Sequence, residues 1–463
     1  MKKLKVAYIA LCMILCSVPL FGMIVRPTTE TTENRRLSEF PSLTAKEGGL
    51  NLQFFSSFEK YFTEHFAFRN ELVAADGKIQ SGLFGVSSVK NVICGTDGWL
   101  YYTTTLPDYS GTGMMSEREL TALQNNLSLV SRWLNQRGTT FVFTAAPNKN
   151  TLYGEHMPYY ASVKVGDDHT LYHLSDLCGE AGIPYADVYA ALKAEDEVLY
   201  LKRDSHWNNK GALLAYRTIM DRTGLPYDSY ANVSASRRKA EDGDLNRMLY
   251  SYYGEKEVNY YYDIPEQYTY VTDTKSVEDG WIETAGQGTG TLLMFRDSFG
   301  NTLLPYVAGQ FEHAWFSKEA PYRLENILNA QPVNTVIFEK VERNLRDYIT
   351  APPILSAPVF SDPLPVTEEL AEGSVSVTIT ENMFDPEFWQ LSGTIAPGIV
   401  TDGSDILVSV DGLCMDAYDT GENGFTAYLK KENWTGSTLA LEVLLKEDGA
   451  LKVICRTSVN KGE

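Results

Sequence analysis

A serine, a histidine and an aspartate in this chain stand where they could act on one another. Ser298 follows the apolar run Leu292-Leu293-Met294-Phe295 and precedes Gly300, the pattern of a buried strand that breaks and turns into a helix. At such a turn a hydroxyl is pushed out of the sheet edge, beside helix amides that have no partner of their own. That setting suits a nucleophile; a serine that only caps the helix would occupy the same place. The second stretch is Tyr200-Leu201-Lys202-Arg203-Asp204-Ser205-His206-Trp207. An imidazole at His206 could take the serine's proton, and Asp204 could fix the imidazole tautomer and balance its charge. The i, i+2 spacing lets the two side chains meet on a strand or in the loop at its end, with Trp207 packed beside the ring. His206 and Asp204 could equally be ordinary residues at the start of a helix opening at Asn208-Asn209.

The elements that must position these groups begin at Ser116. A helix over 116–137 opens on a capping box, Ser116 with Glu119. Strands are predicted over 140–145, 183–188, 198–201, 291–295, 313–316 and 335–338. Helices are predicted over 168–181, 209–223, 301–309 and 322–328. Strands separated by helix-length segments give an α/β fold, a mostly parallel sheet with helices on both faces. Ligands of such sheets sit at the carboxyl ends of the strands. Asn148 (in Pro147-Asn148-Lys149), His206 and Ser298 all fall there.

Around this core the chain changes character. Lys2, Lys3 and Lys5 precede an uncharged stretch over 6–25, closed by Arg26. At about 1.5 Å per residue such a stretch crosses a bilayer core of roughly 30 Å, and the positive cluster keeps its own side cytoplasmic. Residues 1–26 therefore read as an uncleaved membrane anchor, with a cleaved signal segment as the alternative. Residues 27–48 read as a tether. The aromatic 54–62 stretch reads as an amphipathic helix on the main domain, and Gly95-Thr96-Asp97-Gly98-Trp99-Leu100 as a hairpin. Residues 238–288 interrupt the alternation and are crowded with tyrosine, including Tyr250, Tyr252, Tyr253, Tyr260, Tyr261, Tyr262, Tyr268 and Tyr270. Tyrosine serves there either as a half-buried strand residue or as a face on which a sugar ring stacks. Beyond the prolines of 352–365, residues 366–463 show only short β-type runs between Gly and Asp turns, a small antiparallel β domain of sandwich type. Its Trp389, Phe425 and Trp434 are candidates for core or for a carbohydrate-binding face.

Composition narrows the partners. A net charge of -20 over 463 residues argues against nucleic acid and against a tight grip on any polyanion unless a local basic patch exists. Six cysteines make no disulfide framework: Cys94 and Cys178 read as buried hydrophobes, and Cys414 with Cys455 as a pair whose bonding sequence leaves open. No spacing of His or Cys calls for a metal or a cofactor.

Taken together, Asp204-Ser205-His206-Trp207, Arg296-Asp297-Ser298-Phe299-Gly300, Pro147-Asn148-Lys149, Asp97-Gly98-Trp99-Leu100 and Glu33-Asn34-Arg35-Arg36-Leu37 resemble the alginate O-acetyltransferase-like, SGNH-hydrolase-type family, and within it the DHHW branch of Gram-positive bacteria. The resemblance runs through most of the chain ahead of the β domain, in motif order. It implies an SGNH-hydrolase-like domain over 49–355, with the 238–288 stretch as an insertion. By position it makes Ser298 the acyl-accepting nucleophile, His206 the general base and Asp204 its orienter. Asn148 would be an oxyanion-hole residue, with Lys149 and Arg296 near the oxyanion. Two departures stand out: Ser205 replaces the branch's first histidine, and Arg296 replaces the glycine usual before Asp-Ser in hydrolases. The order, with the Asp-x-His pair ahead of the serine, is that of the polysaccharide acetyltransferases. The implied activity is extracytoplasmic O-acetyl transfer to a cell-envelope or exported polysaccharide, by a protein anchored in the bacterial cytoplasmic membrane. The acetyl donor would arrive through a multi-spanning membrane acyltransferase. A carbohydrate esterase using the same residues, or a non-catalytic polysaccharide-binding or assembly protein, is the alternative.

Overall fold

In the computed structural model, residues 2–29, 37–45, 48–369 and 373–461 are described. Of the early Glu33–Leu37 motif only Leu37 falls among them. A seven-stranded sheet organises the main body, in the order Tyr185–Ala186, Thr140–Ala146, Thr335–Val341, Thr291–Phe295, His313–Ser317, Trp281–Gly286, Tyr268–Tyr270. The first five pair parallel with their neighbours, and the last two run antiparallel.

The parallel strands are largely apolar and buried because both faces are covered. On one face Phe141, Phe143, Leu293, Phe295 and Phe338 pack against helices Glu117–Gln136, Thr170–Glu180 and Leu324–Ala330. On the other, Val142, Leu292, Met294, Phe316 and Ile337 pack against helices Val188–Lys193, Asn209–Thr223 and Gly300–Val307. The helix Glu117–Gln136 does open on the Ser116–Glu119 capping box.

Two expectations need correction. No strand forms over 198–201; Tyr200 makes a single bridge to Trp207, and the segment between them is a tight loop. The polar residues Lys202, Arg203 and Asp204 follow the apolar triplet too closely for it to enter the sheet. Nor is 238–288 one insertion. Strand Ala235–Glu241 pairs with Glu257–Tyr262 as a separate hairpin, whereas Tyr268–Tyr270 and Trp281–Gly286 extend the main sheet. The alternating burial of Trp281–Gly286, one face covered and one wet, is what an antiparallel edge tolerates.

The C-terminal region forms a four-stranded antiparallel sheet and a five-stranded sheet, antiparallel but for one edge pair. Leu391, Phe425 and Ala427 of the one meet Val408, Leu441 and Val443 of the other in a shared core. Phe425 is thereby core, while Trp389 and Trp434 are half-buried at its margin. Phe388, Tyr418 and Tyr428 of this region join the core of the main body. Cys414 and Cys455 are both free, and Cys94 and Cys178 are buried. One helix among the described residues, Leu4–Val25, is long and apolar enough to cross a membrane.

Candidate active site

Strand Thr291–Phe295 ends at Arg296, and helix Gly300–Val307 begins four residues later. Asp297 fixes the turn between them: its carboxylate accepts from the Phe299 amide at 2.9 Å and from the Val341 amide of the neighbouring strand at 2.8 Å. Its own amide donates to Glu339 at 3.1 Å. Burial, and then the Asp297 charge, push the Glu339 carboxyl well above the ordinary range. Ser298 is thus carried on a turn stapled to the adjacent strand. Among the described residues nothing accepts from the Ser298 amide or the Gly300 amide, which leaves two N–H groups free beside the hydroxyl.

The loop Leu201–Trp207 comes to this turn from the other side. Asn208 caps helix Asn209–Thr223, accepting from Lys210 and Gly211, and its amide holds Leu199 at 2.8 Å. Within the loop, His206 Nδ1 lies 2.6 Å from Asp204 Oδ1, and His206 Nε2 lies 2.8 Å from Ser298 Oγ. The imidazole is bounded by Phe299, with ring centroids 4.7 Å apart, and Trp207 packs edge-on against Phe299 rather than against the imidazole.

Asp204 is saturated. It accepts from His206 Nδ1, from the His206 amide at 2.9 Å and from the Asp244 amide at 2.8 Å. Burial alone would raise its pKa; the imidazole and these hydrogen bonds outweigh that and hold it well below the usual carboxylate range. Burial likewise pulls the His206 pKa down, but the Asp204 charge, its hydrogen bond and the Asp244 charge leave it net above 6.5. The arrangement can therefore do general-base chemistry on a hydroxyl, with the imidazolium stabilised once it forms.

Ser205, which stands at the branch's first histidine position, has its own task. Its hydroxyl donates to Asp244 Oδ2 at 2.5 Å and its amide donates to Asp244 Oδ1 at 2.7 Å. Asp244 is thereby seated beside the Asp204–His206 pair, 3.9 Å from His206 Nδ1. Nothing in the sequence pointed to Asp244, which opens the short helix Asp244–Tyr250 outside any motif.

The three residues expected at the oxyanion are engaged elsewhere. Asn148 is fully buried; its side-chain amide donates to Asp108 at 2.8 Å and its carbonyl accepts from Arg343. Lys149 turns under the loop, where Nζ donates to the carbonyls of Leu201, Lys202 and Asp204. Arg296 is buried too: its stem lies under Gly300, and its guanidinium donates to Val277 O at 2.8 Å and to Asn301. A buried cation cannot stay unpaired, and the acceptors these two reach are loop carbonyls and the Asn301 side chain. Two of the family-like motifs are accordingly supports. Lys149 reaches the loop from Pro147-Asn148-Lys149, and the Leu100 amide of Asp97-Gly98-Trp99-Leu100 binds Lys202 O at 2.8 Å. Sequence reading also missed Arg343, a half-buried cation whose guanidinium carbon lies 5.9 Å from the Phe299 ring centroid.

The chain is similar to several solved structures. PatB1 of Bacillus cereus is 17% identical with a TM-score of 0.44, covering 55% of this chain and 96% of that one. A DHHW family protein from Eubacterium siraeum is 14% identical with a TM-score of 0.39, covering 56% and 93%. AlgX of Pseudomonas aeruginosa is 14% identical with a TM-score of 0.35, covering 80% and 92%. No curated protein matches the sequence. Over residues 92–289, which hold Asp204 and His206 and stop short of Ser298, the chain matches the family described as the SGNH hydrolase-like domain of acetyltransferase AlgX, the family its motifs resemble.

Proposed function

We propose that the protein is an extracytoplasmic O-acetyltransferase that modifies a polysaccharide through an acyl-serine intermediate. The observation that carries this reading is the pair of contacts on one imidazole, 2.8 Å to Ser298 Oγ and 2.6 Å to Asp204. The match of residues 92–289 to an acetyltransferase domain supports acetyl transfer as the chemistry.

In the first half-reaction His206 Nε2 takes the Ser298 proton as Oγ bonds to the donor's carbonyl carbon. The tetrahedral oxyanion is held by the free Ser298 and Gly300 amides. It collapses as the bond to the donor's leaving oxygen or sulfur breaks, and His206 returns the proton to that atom. In the second half, a sugar hydroxyl gives its proton to His206 and bonds to the acyl carbon. The Ser298 ester bond then breaks, and the proton goes back to Oγ. The donor is taken to come through a multi-spanning membrane acyltransferase, and helix Lys2–Val25 is the candidate anchor that would hold the two together.

A second reading, an esterase with water as acceptor, is favoured by one feature: a fifth of the His206 side chain is open to solvent. Intact-protein mass spectrometry after exposure to an activated acetyl ester tests both. One added acetyl group on the wild type and none on Ser298→Ala is expected. Faster discharge by an oligosaccharide than by water identifies the transferase. An acetyl group retained by Ser298→Ala at the same stoichiometry overturns the assignment.

A further inference from the structure

Helix Asp244–Tyr250 meets the loop that carries His206 at its first turn. The Asp244 amide donates to Asp204 Oδ2 at 2.8 Å, and the Asn246 amide donates to Arg203 O at 2.9 Å. A Cβ at Gly243 would collide with Arg203 O and come within 2.9 Å of Asp204 Cβ, so only glycine lets the two backbones close up there. Leu245 and Leu249 seat the same helix in a core with Val92, Cys94 and Leu100. Backbone contacts and apolar packing thus fix the place of residue 244. Neither needs its charge.

What the carboxylate does instead follows from one hydroxyl. Two oxygens face Nδ1 of His206: Asp204 Oδ1 at 2.6 Å and Ser205 Oγ at 3.2 Å. A serine hydroxyl has one proton to give and lone pairs to accept with. Both Asp244 oxygens are placed as acceptors, Oδ1 from the Ser205 and Leu245 amides at 2.7 Å and Oδ2 from the Ser205 hydroxyl at 2.5 Å. With its proton committed to Asp244, Ser205 turns a lone pair toward the imidazole. That lone pair is satisfied only when Nδ1 carries the hydrogen. Nε2 then keeps its free pair toward Ser298 Oγ, 2.8 Å away, which is the tautomer a general base needs.

The same carboxylate lies 3.9 Å from Nδ1, so a second negative charge faces the ring when it takes up a proton. The other charges acting on this cluster are Lys149 under the loop, Arg343 and Glu278. Asp242 is turned to Asn246, and Arg203 to Glu255.

We propose that Asp244 is a positioning residue for the general base: through the Ser205 hydroxyl it locks the tautomer of His206, and its charge joins that of Asp204 in stabilising the imidazolium. The inference rests on His206 as the base of the reading above, but the lock can be observed without turnover. The full-length Ser298→Ala chain in detergent, with isotope-labelled histidine, would be titrated by NMR. The His206 ring-nitrogen resonances are assigned by their loss in His206→Gln. With Asp244 intact, the neutral ring should carry its hydrogen on Nδ1. Adding Asp244→Asn should lower the His206 midpoint by about one pH unit and let the Nε2–H tautomer appear. Ser205→Ala, which keeps the charge and removes the lone pair, should let that tautomer appear with a smaller shift. In chains that retain Ser298, Asp244→Asn should lower the maximal acylation rate about tenfold, one pKa unit's worth of imidazolium stabilisation, with donor KM unchanged.

A merely structural Asp244 would lower the thermal unfolding temperature and leave midpoint and tautomer where they were; that result overturns the proposal. A single Nδ1–H tautomer retained in both variants overturns the lock. Should Asp244→Asn fail to fold, Ser205→Ala carries the tautomer test alone. Shifts as expected in a protein whose wild type never acylates Ser298 leave the hold on the imidazole standing and bring down the enzyme. Acylation of the wild type, with His206 unmoved in either variant, does the reverse.

Discussion

Lys149 Nζ donates to the backbone carbonyl of Asp204, and through the carbonyls of Leu201 and Lys202 it holds the whole inner side of the loop that presents His206. Burial takes the Lys149 pKa down to about 8 despite the nearby charges of Asp204, Asp244 and Glu257. Replacing it with Met would leave the carbonyls of Leu201 and Asp204 without a donor, Lys202 O keeping the Leu100 amide, at a cost of about 2–3 kcal/mol in urea unfolding. A pH signature separates this role from plain packing. The folded chain releases the Lys149 proton near pH 8 and the unfolded chain near 10.5, so the unfolded state binds more protons between them. Wild-type stability should therefore gain with pH across that window, and the Lys149→Met profile should lack that gain.

The raised His206 pKa sets the pH dependence of acylation. Base catalysis needs the neutral imidazole, so the rate should climb with pH through a midpoint above 6.5. Stability runs the other way. The His206 contribution is complete below its unfolded value and fades as pH rises through the folded one. Asp204→Asn should move the midpoint down and cut kcat on the order of 10⁴-fold, as a wrong tautomer does in a triad. A midpoint unmoved in that variant would show that Asp204 does not act on the imidazole.

Gly300 is required for space. A Cβ there would come within 2.6 Å of Arg296 Cβ, 2.8 Å of its Cδ and 3.0 Å of Glu339 Oε2. Gly300→Ala, favourable in an open helix, is expected to destabilise by about 1–3 kcal/mol through overpacking. Because the strain falls two residues from Ser298, the acylation rate should drop while donor KM holds. Thermal unfolding and single-turnover acylation would check both halves.

Arg118 and Asp419 meet at 2.8 Å, with side chains 3% and 0% exposed, between helix Glu117–Gln136 and the C-terminal β region. Arg118 also donates to Ser404 O at 2.6 Å. Arg118→Met should cost about 3–5 kcal/mol, since it strands a buried carboxylate. Adding Asp419→Leu should recover much of that in the same denaturant titration, the pattern of a pair whose loss is worse than its replacement.

The elements of the sheet were legible because uninterrupted apolar runs and a helical period mark a doubly covered sheet whatever the tertiary detail. Ser298, His206 and Asp204 were legible because a turn after such a strand and an Asp-x-His pair are local patterns. The roles of Asn148, Lys149 and Arg296 were not. A cation near a strand end reads the same whether it faces the cleft or the backbone beneath it, and only the packing around Gly300 and Leu201 decides. Asp244 and Arg343 reach the site from distant segments with no motif, so no spacing could have announced them.

The segment joining the two halves is not a hinge. Ile354 and Leu355 are fully buried, the Ala357 amide donates to Tyr428 O at 3.0 Å and the Phe360 amide donates to Cys414 O at 2.9 Å. With Phe388, Tyr418 and Tyr428 seated among the main body's own core residues, the C-terminal β region has no surface of its own to retreat to. Scanning calorimetry should then record one transition for both, and a protease should find no early nick across 352–365. For anyone trimming the protein to a minimal catalyst, the cut that the proline-rich composition invites would leave a sticky, failing fragment in place of a free-standing enzyme.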